Sequence, residues 1–195
     1  MWERGTGSDR KEESMPLAKE MEYTIEDIRA LPEGKRAELI DGRMYMMASP
    51  GFRHQRLIFN AGRQIGNYID RKGGDCVVVP SPFAVYLNKK QDYLEPDLMI
   101  ICDPSKIHED GCYGAPDWVM EVISPTSRSR DSLLKLIKYR NEGVREYWLV
   151  DPERSRVTVY CFHPDAEQEK VNEYTLTDAI PVGIYEDLSI TMEGQ

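Results

Sequence analysis

Two carboxylates stand within apolar segments of this sequence, where an unpaired charge would be costly. Asp97 opens the run Leu98-Met99-Ile100-Ile101, and Glu121 lies inside Trp118-Val119-Met120-Glu121-Val122-Ile123. A buried carboxylate loses its hydration unless it is paired or bound to a cation. If the two segments are neighbouring strands, the carboxylates converge at one end of a sheet and could bind Mg²⁺ or Mn²⁺. The alternative, equally open from spacing alone, is an edge strand whose Glu121 faces water.

A lysine and a tyrosine follow the Glu121 segment at helical spacing. Lys135 and Tyr139 are four residues apart, so they share one face of a helix predicted over 129–142. A strand–loop–helix connection could return that face towards Glu121. A lysine beside a metal-bound pair of carboxylates can stabilise charge on a phosphate or orient water. The ordinary alternative is a solvated helix lysine.

The elements that must position these residues are predicted from apolar periodicity and turn residues. Helical spacing over 54–68 predicts a helix closed by Gly73-Gly74, and Asp41-Gly42 predicts a hairpin between strands 37–40 and 43–47. Residues 1–20 are polar and predicted to be disordered, 21–195 are expected to form one domain, and 103–116 are predicted to be a loop. Further strands are predicted at 76–79, 83–87, 94–102, 117–124, 146–152 and 157–160. The order of helices and strands indicates an α/β or α+β fold with a mixed sheet.

An ordered series of short motifs resembles the Uma family of candidate restriction endonucleases. This family is common in bacteria, abundant in cyanobacteria, and belongs to the PD-(D/E)xK nuclease-like superfamily. The resemblance covers about residues 22–190. The matching motifs are Glu38-Leu39-Ile40-Asp41-Gly42, Ser49-Pro50 with His54, Glu95-Pro96-Asp97-Leu98, Glu121-Val122-Ile123-Ser124-Pro125, Arg130-Asp131 with Lys135 and Tyr139, and Gly143-Val144-Arg145-Glu146-Tyr147-Trp148-Leu149-Val150-Asp151-Pro152.

The resemblance implies a restriction-endonuclease-like core, a mixed β-sheet flanked by helices. Asp97 and Glu121 match the acidic motif residues that would bind Mg²⁺ or Mn²⁺, helped by the backbone carbonyl of Val122. Glu38 matches the position of a third candidate ligand on a preceding element. The pattern expects a lysine where this chain has Ile123, and Lys135 on the next helix is the position that matches a relocated lysine.

Candidate contacts to DNA phosphates surround these positions. Arg53 and His54 begin the first long helix, where His54 could touch phosphate or act near the site, although a helix-surface histidine is the more ordinary expectation. The stretch with Arg128 and Arg130 could grip a phosphate backbone or form a solvated loop. Tyr139 is a further candidate contact.

Composition limits the classes of function. The chain has 195 residues, a formal charge of −9 and a mean hydropathy of −0.56, and no apolar run approaches the ~20 residues of a membrane helix. The first twenty residues lack an apolar signal core, so a cytoplasmic protein is expected. An acidic total argues against a protein that coats DNA, but residues 165–195 carry −7 while 126–145 carry +4. A local contact with DNA therefore remains compatible with the charge.

The four cysteines lack CxxC spacing, so reduced thiols are expected and a structural zinc site is not. Three functions compete: a Mg²⁺-dependent DNA endonuclease, a nuclease-fold protein that binds nucleic acid or assembles without turnover, and a structural protein with a buried Glu–Lys pair. The first implies a homodimer, since cutting both strands needs two active sites.

Overall fold

The computed structural model describes residues 22–88, 91–124, 130–162 and 170–193. The helices of this part of the chain are α1 (Ile25–Arg29), α2 (Phe52–Lys72) and α3 (Arg130–Glu142), with a 3₁₀ turn at Pro104–Lys106. The strands are β1 (Ala37–Ile40), β2 (Arg43–Met46), β3 (Val77–Pro80), β4 (Val85–Asn88), β5 (Asp92–Leu94), β6 (Leu98–Ile101), β7 (Ile107–His108), β8 (Gly111–Tyr113), β9 (Trp118–Val122), β10 (Glu146–Asp151), β11 (Arg156–Cys161), β12 (Lys170–Thr175), β13 (Ile180–Pro181) and β14 (Ser189–Ile190).

A six-stranded mixed sheet, called here the central sheet, forms the frame of the fold. Its order is β12-β11-β10-β9-β6-β3. Strands β9 and β10 are parallel because α3 returns the chain between them, whereas β6 pairs antiparallel with both β9 and β3. This arrangement is the mixed α+β fold that the sequence predicts.

Both faces of the central sheet are covered by apolar residues. On one face the buried stripe of α2, with Leu57, Ala61 and Ile65, packs against the Trp118 and Trp148 side of the sheet. On the other face Val119 and Tyr147 pack with Tyr139 of α3. The period-two alternation of β9 thus sends Trp118 and Met120 to the α2 side and Val119 to the α3 side.

A second sheet lies beyond the α3 face, with the order β2-β1-β5-β4-β8-β7. The predicted β1–β2 hairpin is confirmed: Asp41 and Gly42 adopt positive φ angles of 49° and 73°, as a tight turn between antiparallel strands requires. Strand β1 also pairs with β5 through Leu39 and Tyr93. This pairing brings Glu38 of β1 beside the chain that leads from β5 into β6.

The predicted helices are present, and α2 extends to Lys72 with Gly73 at its end (φ 72°). The loop predicted over 103–116 is wrong in part, because it contains the 3₁₀ turn and the β7–β8 hairpin. The disorder predicted for 1–20 falls outside the described residues. No helix within the described ranges combines the length and apolarity that crossing a membrane requires.

The expectation of four reduced cysteines is also wrong, because Cys76 and Cys102 form a disulfide. The register of β3 and β6 pairs Val77 with Ile101, so the flanking cysteines face each other across the two strands. Their separation of 26 residues along the chain gives no sign of this pairing. Cys112 and Cys161 are free thiols.

Candidate metal centre

Asp97 and Glu121 meet at one end of the central sheet. Leu98 of β6 pairs with Met120 of the antiparallel strand β9, so the next position in each direction places Asp97 across from Glu121. Asp97 Oδ2 accepts a hydrogen bond from the backbone N–H of Val122 at 2.7 Å. The two carboxylates were expected to converge if their segments were neighbouring strands. Strands β6 and β9 are neighbours, so this condition is met.

Lys135 of α3 lies between two carboxylates. Its Nζ donates to Glu121 Oε1 at 2.8 Å and to Glu38 at 2.8 Å, and the side chains of all three residues are nearly buried. Tyr139, one turn later on α3, donates its O–H to the same Glu121 Oε1 at 2.9 Å. The shared face of Lys135 and Tyr139 thus fixes one oxygen of Glu121 from the α3 side.

Burial and charge act against each other on these groups. Burial raises the pKa of Glu121 to about 8, although the ammonium of Lys135 pulls it down. Burial by itself lowers the pKa of Lys135, but Glu121 and Glu38 outweigh it and hold this pKa above its ordinary value. Lys135 is therefore protonated at neutral pH, so it can donate hydrogen bonds and positive charge but cannot serve as a base.

His54 reaches the same end of the sheet from the first turn of α2. Its Nε2 lies 3.0 Å from the carbonyl oxygen of Val122 and 3.2 Å from Asp97 Oδ2. Because a carbonyl only accepts, Nε2 must carry the hydrogen. Burial lowers the pKa of His54, but the hydrogen bond and charge of Asp97 and the Val122 carbonyl together raise it above its usual value. This histidine faces the site and not the solvated helix surface that is more usual for its position.

Glu38 is held by a network on the second sheet. Its Oε1 also accepts the backbone N–H of Glu95 at 3.0 Å. Glu95 in turn accepts hydrogen bonds from Arg36 and, at 2.7 Å, from the hydroxyl of Tyr93. Glu38 therefore serves in this structure as a counter-charge to Lys135, oriented by residues of β5 and the chain before β1.

The residues fit a hard divalent cation by the chemistry of their donors. Asp97 and the Val122 carbonyl both point oxygens at the His54 N–H, and Glu121 lies across from Asp97 on the neighbouring strand. Lys135 and Tyr139 both bond to Oε1 of Glu121, so Oε2 is the oxygen that would bind an ion. Among the described residues no three His, Cys, Asp or Glu side chains are gathered as a ready-made metal cluster. Two carboxylates and one carbonyl suit Mg²⁺, which usually keeps several waters in its shell.

The residues predicted to contact DNA phosphates differ in their exposure to solvent. Arg53 is exposed and pairs with Glu193 at 2.9 Å. Tyr139 is fully buried, so it bonds to Glu121 instead of contacting a DNA backbone. Arg128 lies outside the described residues, and Arg130 begins α3 with a side chain that is not described.

Sequence reasoning missed several residues that build the site. Arg36 and Glu38 alternate on one face of the chain entering β1, a pattern that could have pointed to a shared network with Glu95. Lys138 joins Asp41 of the hairpin at 2.6 Å to the buried Asp92 at 3.1 Å, which ties α3 to the second sheet. No local sequence pattern predicts the contact between Lys138 and Asp92, because these residues are 46 positions apart.

Comparison with known proteins identifies the family and the fold of this chain. The model of the Uma2 family, described as "Putative restriction endonuclease", matches residues 25–193. The chain belongs to the Uma2 family. This Uma2 protein is 26% identical over 134 residues to an uncharacterised protein, slr1290, of Synechocystis sp. (strain ATCC 27184 / PCC 6803 / Kazusa), a match that spans 68% of this chain and 70% of that protein.

A solved structure shares the fold. It is the 1.96 Å crystal structure of a protein from Anabaena variabilis ATCC 29413 that is described as a putative nuclease belonging to DUF820. The TM-score is 0.67 at 21% identity, with 87% of this chain and 94% of that chain covered. In this Uma2 protein, Ile123 is the second residue after Glu121, and its N–H donates to the carbonyl oxygen of Val150 at 2.7 Å. The ammonium beside Glu121 comes from Lys135.

Proposed function

We propose that this protein is a Mg²⁺- or Mn²⁺-dependent endonuclease that hydrolyses phosphodiester bonds of DNA. The observation that carries the proposal is the position of Lys135, whose Nζ lies 2.8 Å from Glu121 although the motif position after Glu121 and Val122 is Ile123. A lysine from the next helix thereby supplies the charge beside the acidic pair. Membership of a family of restriction-endonuclease-like proteins supports the same function.

In the proposed site, Asp97, Glu121 and the carbonyl of Val122 would hold the ion. A divalent cation bound there would neutralise charge on the phosphate and lower the pKa of water. Lys135 stays protonated between Glu38 and Glu121 and places a positive charge at the site, while Tyr139 helps to fix the orientation of Glu121. His54 holds its Nε2 hydrogen at the Val122 carbonyl and beside Asp97, so an ion bound to those two oxygens would take the place of this N–H.

A second candidate function is a nucleic-acid-binding or assembly module without turnover. Two observations favour it: within the described residues no third carboxylate or histidine completes a cluster, and both carboxylates next to Lys135 already pair with it. The two candidates differ in metal binding and cleavage, which only the enzyme requires.

Plasmid nicking separates these candidates. Asp97→Asn and Glu121→Gln keep the hydrogen-bond acceptors but remove the charge, so each should abolish Mg²⁺- or Mn²⁺-dependent cleavage and Mn²⁺ binding measured by electron paramagnetic resonance. Asp110→Asn, a change at an exposed carboxylate on the β7–β8 turn, is the matched control and should retain both. Wild-type protein that binds no Mn²⁺ and leaves the plasmid intact would rule out the enzyme and leave the binding module.

DNA is the partner expected on this proposal, and a homodimer is its expected assembly. One chain carries one pair of Asp97 and Glu121, whereas a break in both strands needs two such sites facing opposite strands. A two-fold axis supplies them with opposite polarity, as the antiparallel strands of a duplex require.

A further inference from the structure

The side of α2 that faces away from the central sheet carries two exposed aromatic rings between arginines. Phe52 and Phe59 are 81% and 68% exposed, and Arg56 and Arg63 are exposed as well. The spacings of four, three and four residues place all four on one face of the helix, over a length of about 16 Å. We call Phe52, Arg56, Phe59 and Arg63 the α2 stripe. It lies opposite the face on which Leu57, Ile58, Ala61 and Ile65 pack.

The charge of α2 is the reverse of that of the whole chain. The helix holds five arginines and lysines but a single carboxylate, Asp70, while the chain as a whole carries −9. Arg53 is neutralised by Glu193, whereas no ion pair among the described residues involves Arg56 or Arg63. Arg56 and Arg63 thus have charges that could pair with a polyanion. Phe52 and Phe59 expose rings that could contact flat apolar groups of the same ligand.

A cleft adjoins the first half of the stripe. It has a volume of about 420 Å³ and is lined by Phe52, Arg53, Arg56, Leu57, Asn60 and Glu193. The lining therefore includes one aromatic ring and two guanidinium groups, of which that of Arg53 is paired with Glu193. The same turn of α2 holds His54 against Asp97 and Val122 on its opposite face, so the stripe and the carboxylate site belong to one helix but to different sides of it.

We propose that the α2 stripe binds a nucleic-acid strand with unpaired bases, the bases stacking on Phe52 and Phe59 and the phosphates pairing with Arg56 and Arg63. Aromatic side chains stack on base faces, which are exposed in a single strand and covered in a duplex. The proposal rests on the proposed nuclease function for its class of ligand, nucleic acid, and adds a binding surface for a single strand on the side of α2 away from the carboxylates. Binding by the stripe does not itself need the metal.

Fluorescence anisotropy with labelled oligothymidylate, in EDTA and over a series of KCl concentrations, tests the proposal. The pair Phe52→Ala and Phe59→Ala should weaken binding about tenfold or more, because stacking contributes about 1–3 kcal/mol per base. The pair Arg56→Gln and Arg63→Gln should lower the slope of log affinity against log salt by about 1.4, the loss of two phosphate contacts on a single strand. Val171→Ala and Lys170→Gln, exposed on β12, are the matched controls and should change neither quantity.

Other results overturn the proposal. Wild-type protein that does not bind the oligonucleotide, or phenylalanine variants that bind as tightly as wild type, would exclude the stripe as a strand-binding surface. If those variants instead convert a dimer into a monomer in sedimentation experiments and keep their affinity for the oligonucleotide, the stripe is an interface between two copies of the chain.

The test also separates this proposal from the nuclease function. Suppose that cleavage depends on Asp97 but oligonucleotide binding is unchanged when Phe52 and Phe59 are replaced. This result would exclude the stripe as a binding surface and support the nuclease function. Binding that depends on Phe52 and Phe59, in a protein that binds no Mn²⁺ and cleaves no DNA, would support the stripe and exclude the nuclease function.

Discussion

Lys135 is the residue on which the electrostatics of the site depend. It is nearly buried with Glu38 and Glu121. Its positive charge offsets the repulsion between these two carboxylates in a poorly solvated space. Removing one partner from such a group leaves an uncompensated buried charge, which costs far more than the net contribution of the pair. The same residue therefore governs stability and the protonation of Glu121.

Lys135→Met should destabilise the fold by about 3–5 kcal/mol at pH 8. Lys135 lowers the pKa of Glu121, so in the variant this already raised pKa rises further. A raised carboxyl pKa favours the folded state at low pH and loses that contribution as pH rises through it, so the deficit should be larger at pH 8 than at about pH 6. Denaturant unfolding of Lys135→Met and of the double variant with Glu38→Gln measures this. The double variant should recover part of the loss, and equal stability of wild type and single variant would contradict the pairing.

Metal affinity should also depend on pH. A carboxylate must lose its proton to bind a cation, and the pKa of Glu121 is raised to about 8 by burial. Mn²⁺ affinity should therefore rise about tenfold per pH unit below that value and level off above it. Titration calorimetry over this range is the measurement, with Glu121→Gln as the variant that should show no Mn²⁺ binding at any pH in it. A flat profile in the wild type would show that Glu121 is ionised throughout.

At the scale of elements, the β3–β6 pair is the least expected feature. Antiparallel register brings Cys76 beside Cys102 and closes a loop that contains all of β4 and β5. The two remaining thiols are protected in another way, because burial raises the pKa of both Cys112 and Cys161 to about 11. A thiol of this pKa is almost entirely protonated at neutral pH and so is a weak nucleophile.

Alkylation with iodoacetamide, followed by intact-mass measurement, should therefore distinguish the folded, the unfolded and the unfolded, reduced protein. The folded protein should react slowly, the unfolded protein without reductant should take two labels, and the unfolded, reduced protein should take four. Four labels without reductant would show that Cys76 and Cys102 are not joined.

The elements themselves were predictable where the sequence alternates regularly or carries turn residues. The buried stripe of α2 and the positive φ of Asp41 and Gly42 follow from local pattern. The contacts of Lys135 with Glu38 and of Lys138 with Asp92 do not, because they join residues 97 and 46 positions apart. His54 was similarly ambiguous, since its role depends on which strand end lies over the first turn of α2.

At the scale of the whole molecule, the net charge of −9 conceals opposed regions. The acidic carboxyl-terminal part includes Glu193, which reaches back to pair with Arg53 of the basic helix α2. A polyanion would therefore be attracted only to the basic part of the surface and repelled by the acidic part.

The products formed from plasmid DNA should report the assembly. A homodimer with two sites should yield linear plasmid together with nicked plasmid, whereas a monomer should accumulate nicked circles first and linear DNA only after independent second cuts. Gel analysis over a range of protein concentrations, paired with sedimentation, measures this. Linear product from a protein that sediments as a monomer would contradict the expected dimer.

The two outer strands of the central sheet restrict how any two copies can meet. Strand β12 is exposed along most of its length and bears Lys170 and Glu173, and β3 ends at Pro80, which has no N–H to donate. Charges and proline on outer strands oppose the addition of further strands, which is also how β-rich proteins resist fibril formation. Self-association by extending this sheet is therefore disfavoured, and two copies would have to meet through other surfaces, such as helices, loops or the outer strands β2 and β7 of the second sheet.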